Sequence, residues 1–243
     1  KQEGGKLGDL FAFKQDHIFK DWDDVKANAN NRYDAIGELY GPAAWEALKD
    51  KAGKQPIEPG DVCWADLNND GVINNLDRVK VGNLFPTVTG GFSTTLGYKD
   101  FSLYARFDYA LGHTLYNDLA ARSLGQYQGS FNIIDMVKDS WSETNQDTDI
   151  PKFYYADQLS KKNITRSNNG LTAVDNNSSR FYEKGDYLAL REITLTWNLP
   201  KKWINKALMS NASVYVTGQN LFYITGYTGV SPEPAVDTTY GQG

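Results

Sequence analysis

The strongest constraint on the fold is a two-residue hydrophobic period that begins after Pro86. From Phe101 to Tyr109, the residues Phe101, Leu103, Ala105, Phe107 and Tyr109 fall on one face, and Ser102, Tyr104, Arg106 and Asp108 on the other. Such alternation makes a strand with one apolar and one polar side. Phe92, Leu96 and Tyr98, with Thr94, repeat it just before, against Ser93, Thr95 and Gly97, and Lys99-Asp100 predicts a tight turn between the two runs. The pattern resumes at Tyr187, where Ile193, Leu195, Trp197 and Leu199 alternate with Glu192, Thr194, Thr196 and Asn198 until Pro200 ends it. Ser213 to Tyr223 reads as the fourth strand. There Val214 and Val216 oppose Tyr215, Thr217 and Gln219, which leaves its outward face open.

The connections between these strands alternate between long and short. Residues 112–186 separate the two hairpins, whereas Lys99-Asp100 and a short amphipathic turn (Trp203, Ile204, Ala207, Leu208) close them. Outer-membrane barrels show this asymmetry, and a tilted strand needs about 9 to 11 residues to cross a bilayer. A soluble sandwich would also alternate, but it rarely joins such long loops to tight turns. Four strands leave two open edges that must pair with something. Fifteen Tyr and 22 Gly suit β-structure with long polar loops. No run of 18 apolar residues occurs, which excludes a transmembrane helix and leaves a barrel possible. A net charge of −5 argues against nucleic acid as a partner. The N-terminus, KQEGGKLGDLF, has no signal-peptide core, as expected of a cytoplasmic protein or of a piece of a longer chain.

Elsewhere the chain reads as polar and irregular. Residues 1–58 carry short aromatic clusters and one expected helix, Pro42 to Ala52, with Trp45, Leu48 and Ala52 on one face. A second helix is expected near Asn132 to Glu143, where Ile133, Val137 and Trp141 line up. The tail GYTGVSPEPAVDTTYGQG reads as loop.

Between Gly60 and Gly82 lies a second local signal. With Asp66 as position 1, Asn68, Asp70, Asn74 and Asp77 fall at positions 3, 5, 9 and 12, Gly71 at 6, and the carbonyl of Val72 at 7. That is the spacing of a twelve-residue calcium loop, with Asp77 where an EF-hand has a bidentate Glu. Ca2+ is the cofactor this pattern implies. The other reading is an Asp/Asn/Gly-rich turn closed by its own side chains without a metal.

Catalytic signatures are lacking. The chain has no nucleophile elbow, no phosphate loop and no dinucleotide fingerprint. Asp147 and Asp149 sit in a polar loop and read as solvated, so no enzyme is expected. His17 and His113 read as surface or rim histidines with no metal-ligand partners at local spacing, and Cys63 as a small buried hydrophobe. Tyr127, Phe131, Tyr154, Tyr155 and Tyr182 are candidates to stack on a substrate's rings, against the alternative that they pack loops.

The segments GDVCWADLNNDGVINNLDRVKVGNLFPTVTGGFSTTLGYKDFSLYARFDYALGHTLYN, RFYEKGDYLALREITLTWNLP and VYVTGQNLFYITGYTGVSPE, together with LGDLFAFKQDHIF, resemble the C-terminal barrel region of SusC/RagA-type TonB-dependent transporters. The resemblance implies an all-β chain, part of a large antiparallel transmembrane β-barrel, with four strands here and long extracellular loops carrying short helices. It divides the chain into an extracellular region 1–85 with the calcium-type loop 66–77, a barrel hairpin 86–111, a long extracellular loop 112–186, a hairpin 187–223 and the start of a last loop, 224–243. It further implies location in the cell outer membrane, contact with its lipid, a SusD-like lipoprotein partner, coupling to TonB through parts outside this chain, and import of an oligosaccharide or peptide, with a glycan expected. The rival expectation is a secreted calcium-dependent carbohydrate-binding or dockerin-like module. A dockerin would carry two calcium loops with a helix after each, and here one loop is followed by Pro86 and strands.

Overall fold

The computed structural model describes residues 4–28, 33–34, 58–73, 75–121, 135–153, 178–207 and 209–233. In chain order the strands are β1 (Asp9–Phe13), β2 (Gln15–Ile18), β3 (Tyr33–Asp34), β4 (Val62–Trp64), β5 (Val72–Ile73), β6 (Arg78–Asn83), β7 (Val88–Tyr98), β8 (Phe101–Leu111), β9 (Thr114–Tyr116), β10 (Tyr182–Lys184), β11 (Tyr187–Asn198) and β12 (Ser213–Thr225). Among the described residues the α-helices are α1 (Trp22–Asn28), α2 (Asp118–Ala121) and α3 (Lys201–Ile204). None of their helices is long and apolar enough to cross a membrane, which says nothing of a barrel. The chain divides into two compact units, one made of 1–82 with 116–183 and the other of 83–115 with 184–243.

The second unit is built on one antiparallel sheet in the order β12-β11-β8-β7. Its registers carry the two-residue period across all four strands. Leu96, Leu103, Leu195 and Val216 form one row, and Tyr98, Phe101, Trp197 and Val214 the next. The outward face of β12, open in the sequence, is thereby fixed: Val214 and Val216 join the apolar side, while Tyr215 and Thr217 join Thr196 and Thr194 on the polar side. Phe92 stacks on Phe107 at 5.0 Å and Phe101 on Trp197 at 5.9 Å. Cross-strand aromatic pairs of this kind contribute roughly 0.2 to 1 kcal/mol each. The rows nevertheless remain open, with Leu96 61% and Val216 73% exposed. An apolar face of this extent would drive association in water and is what contact with lipid requires.

β7, β8 and β12 run longer than the pattern marked them. β7 starts at Val88 because Val88, Thr89 and Gly90 pair with Leu111, Ala110 and Tyr109. One irregularity interrupts the sheet, a register slip between Leu190 and Glu192 against both neighbours of β11. Lys99, at φ 54, turns the chain from β7 into β8.

The first unit corrects the expectation that residues 1–58 are irregular. β1 pairs with β6 and β2 with β4, so the N-terminal segment clasps both flanks of loop 66–77. Arg78 Nη2 donates to the Phe11 carbonyl at 3.0 Å, and Lys80 pairs with Asp9 at 2.7 Å. Phe13, Ile18, Phe19, Val25, Val62, Cys63, Trp64, Ile73 and Trp141 are buried together as its core. β1 and β2 are only five and four residues long and draw their stability from distant partners rather than from local periodicity. α1 starts on Asp21, whose carboxylate accepts the Asp24 N–H at 2.9 Å.

The helix expected at Asn132–Glu143 is, among the described residues, a 3-10 turn over Asp135–Asp139. It stops there because side chains take its last carbonyl: Thr148 Oγ1 and Asn145 Nδ2 donate to the oxygen of Asp139 at 2.7 and 3.1 Å. Ser142 and Asn145 then pair with each other as an isolated bridge. The helix expected over Pro42–Ala52 lies outside the described residues.

Candidate functional site

The polar side of the sheet is organised by Arg191. Its Nε and Nη2 donate to the two carboxylate oxygens of Asp108, the latter at 2.9 Å. Nη1 reaches the Tyr223 hydroxyl at 3.1 Å and the Asn220 side-chain oxygen at 3.3 Å, and Nη2 also pairs with Glu233. A planar fork that donates in several directions at once is a guanidinium property that an ammonium cannot copy. Arg191 faces this way because of the register slip, which lets it share the polar side with Glu192 opposite Arg106. Glu233 follows the end of β12, so the network ties the outgoing chain back to the sheet. One residue earlier, the Pro232 carbonyl accepts from His113 Nε2 at 2.9 Å. His113 is therefore not a rim residue as expected: it is 1% exposed.

Loop 66–77 is closed by its own carboxylates. Asp66 Oδ2 accepts the Gly71 N–H at 2.9 Å, and Asp77 Oδ1 accepts the Leu67 N–H at 2.9 Å. Gly71 has φ +80, a left-handed conformation that favours glycine and turns the chain sharply. Asn68 Oδ1 accepts the Asp70 N–H at 3.1 Å, and Asn68 Nδ2 donates to Asp70 at 2.8 Å. Val72 opens β5, which pairs in parallel with β3. Asp77 is fully buried. Asp66 Oδ1 is also buried and has no hydrogen-bond partner among the described residues. A buried, unpartnered carboxylate oxygen is a donor that a hard cation with oxygen ligands could use, although the carboxylates of Asp66, Asp70 and Asp77 do not all converge within 4.8 Å of one another. Asn74 lies outside the described residues.

Of the aromatic candidates, Tyr127, Phe131, Tyr154 and Tyr155 lie outside the described residues. Tyr182 is half-buried, with its ring 5.2 Å from that of Tyr116, which supports a packing role. His17 departs from expectation most. Its Nδ1 lies 2.9 Å from Asp16 and its Nε2 3.1 Å from Asp24, and Cys63 is its cross-strand neighbour. Local spacing gave no sign of this, because strand pairing brings the cysteine to the histidine.

An open apolar face on four antiparallel strands, each long enough to cross a bilayer at a tilt, backed by a polar face with paired charges, defines the wall of an outer-membrane β-barrel. No family model matches the chain. TonB-dependent receptor P3 of Formosa agariphila is 31% identical over 207 residues, covering 82% of this chain and 19% of the relative. TonB-dependent receptor P26 of the same organism is 30% identical over 182 residues, 74% of this chain and 17% of the relative. The solved RagAB peptide transporter superposes with a TM-score of 0.55 at 24% identity, over 71% of this chain and 18% of that one. The RagAB peptide importer in its closed-closed state gives 0.53 at 25% identity over the same shares. Strand registers and relatives agree: the chain belongs to the TonB-dependent outer-membrane transporters of the SusC/RagA type. The chain spans about a fifth of the length of the curated relatives it matches.

Proposed function

We propose that these strands and the segments they carry form part of the wall and the extracellular mouth of a nutrient importer energised through TonB. The observation that carries this reading is the continuity of the apolar rows across β7, β8, β11 and β12, with charge confined to the other face. Regions 1–85 and 112–186 both join the sheet at the strand ends away from the Lys99-Asp100 turn, as extracellular loops would. A SusD-like lipoprotein is the proposed lid over that mouth. The substrate is an oligomer, with a glycan fragment as the first reading, taken from the family resemblance alone. Import of a peptide is the second, favoured by the likeness to a peptide transporter. Deleting the full-length gene and growing the strain on defined oligosaccharides or on peptides as sole source tests both. Loss of growth on one class assigns the substrate, and undiminished growth on every class overturns the import reading.

Loop 66–77 is the proposed calcium site of that mouth, with oxygen ligands from Asp66, Asn68, Asp70, Asn74 and Asp77 and the Val72 carbonyl. Asp66, Asp70 and Asp77 place three negative charges in one turn, and a dication would relieve their repulsion. The buried Asp66 Oδ1 supports the reading. Isothermal titration of the chelator-stripped full-length protein with Ca2+ tests it. The heat should vanish in Asp66→Ala, and a response unchanged by that substitution would place any bound calcium elsewhere.

A further inference from the structure

A second, chemically different cluster lies in the core strands of the first unit. The pairing of β2 with β4 sets His17 opposite Cys63, and a slip between Gln15 and His17 brings Asp16 alongside. One ligand atom from each of Asp16, His17 and Cys63 lies within 4.8 Å of the other two. Tetrahedral bonds of about 2.0 to 2.3 Å separate ligands by about 3.3 to 3.8 Å, so modest side-chain rotation closes the triad. We infer that Asp16, His17 and Cys63 bind a borderline divalent transition-metal ion of the zinc class, with Asp24 as the residue that positions the histidine.

The independent support comes from the far side of the imidazole. His17 Nε2 is 3.1 Å from Asp24 Oδ1, and Asp24 is itself fixed, its Oδ2 accepting the Lys20 N–H at 2.9 Å. A histidine whose outer nitrogen donates to an anchored carboxylate presents its inner nitrogen as a lone pair, the arrangement that orients histidine ligands on metals. That inner nitrogen, Nδ1, lies 2.9 Å from Asp16 Oδ2. A neutral imidazole has one N–H and cannot satisfy two carboxylates. A proton or a metal ion at Nδ1 answers the need. The Cys63 sulfur, within 4.8 Å of the histidine and carboxylate ligand atoms, favours the metal, because a thiol adds little to an imidazolium-carboxylate pair but is a strong ligand once deprotonated.

Charge and access agree with the assignment. A thiolate and a carboxylate neutralise a dication, and the Cys63 thiol proton is released to solvent as the sulfur-metal bond forms. Cys63 is 3% exposed, whereas the Asp16 side chain is 55% exposed and stands at the rim. The ion therefore enters past Asp16 and keeps its fourth position for water. Sulfur and nitrogen ligands separate this site from loop 66–77, whose donors are all oxygens and suit calcium.

The test uses the full-length transporter, stripped with a chelator and held in excess Ca2+ so that hard-cation sites stay filled. Titrated with Zn2+, the wild type should bind one equivalent more than Cys63→Ser. Co2+ should produce a thiolate-to-metal charge-transfer band that Cys63→Ser abolishes. Asp24→Asn should retain the band while weakening zinc by about 10- to 100-fold, the usual effect of losing an outer carboxylate. Asp16→Asn, a change at the exposed rim, should weaken zinc at least tenfold and decides the matter if Cys63→Ser fails to assemble. Absence of the band in assembled wild type, or equal zinc binding by wild type and Asp16→Asn, overturns the site. So does displacement of zinc by calcium, which would place it in the acidic loop.

Discussion

Adjacent residues on β11 offer a direct test of which face meets lipid. Ile193 lies in the apolar row with Ala105 and Gly218, while Thr194 lies on the polar side between Tyr104 and Thr217. Their depths differ by one residue. An eleven-residue strand such as β8 spans about 34 Å, or about 24 to 28 Å of bilayer at the usual tilt, which places Ala105 and its neighbour Ile193 near the middle. Arginine at mid-bilayer on a lipid-facing position costs about 2 to 4 kcal/mol. Ile193→Arg should then lower the folding equilibrium constant by about 30- to 900-fold. Thr194→Arg should cost well under 1 kcal/mol, because an interior-facing guanidinium stays hydrated and has Glu192, which already accepts from Thr194 at 3.2 Å, within reach. The assay is urea titration of the full-length protein folded into vesicles, with outer-membrane abundance as a second readout. Equal losses for the two variants, or a larger loss for Thr194→Arg, would refute the face assignment.

Arg191→Lys should cost about 1 to 2 kcal/mol of unfolding free energy, read from urea titration, because it removes the two-point contact with Asp108 while keeping the charge. Asp108→Asn should add little in that background, and strictly additive losses would show that the pair is uncoupled. Calcium at about a hundred times its dissociation constant should stabilise the wild type by about 2.7 kcal/mol, seen as a rise in thermal midpoint that Asp66→Ala abolishes; the same rise in both would remove the loop from consideration. Gly60→Ala should make the first unit more susceptible to proteolysis by about 1 to 3 kcal/mol. Gly60 has φ +93, and a Cβ there would lie 2.6 Å from Trp141 Cε3. Unchanged cleavage would mean that the indole moves aside.

The sequence made the sheet readable because each wall strand carries its own period, so Leu103 or Trp197 can be assigned a face without knowing its neighbours. β12 needed those neighbours. Val216 and Tyr215 are both large and suited to strands, and only pairing with Leu195 and Thr196 separates them. β1 and β2 were illegible for a different reason: DLFAF and QDHI are too short for a period to declare itself, and their partners lie beyond the long segment that precedes β4. The acidic loop declared itself because its donors are consecutive in the chain. The Asp16, His17 and Cys63 cluster could not, since its geometry exists only once β2 meets β4. Glu233, in a tail read as loop, acquires its meaning from Arg191 in the same way.

The slip at Arg191 had a visible signature in the spacing of the leucines. Leu188 and Leu190 keep one parity, Ile193, Leu195 and Trp197 the other, so an odd step of three residues separates the two apolar sets. Unbroken alternation from Ile193 would put Arg191 in the lipid-facing row and both leucines among the polar side chains. A guanidinium there would cost about 2 to 4 kcal/mol. A bulge forgoes a ladder hydrogen bond or two, at about 0.5 to 1.5 kcal/mol each, and avoids both the arginine in lipid and the loss of Leu188 and Leu190 from the apolar rows, so together it is the cheaper solution. The adjustment grows across the sheet. Between the row of Ala105, Ile193 and Gly218 and the row of Phe107, Leu190 and Phe222 lie one residue on β8 (Arg106), two on β11 (Arg191, Glu192) and three on β12 (Gln219, Asn220, Leu221). Asn220, at φ 49, takes up the extra length. Asparagine tolerates that left-handed conformation better than a β-branched residue would. The widening gives the Arg191 fork room to reach Asp108 on one side and Tyr223 on the other while both leucines return to the apolar rows. One inserted residue thus keeps the wall continuous toward lipid and places a fixed charge on the inner face, where the outgoing chain is held by Glu233.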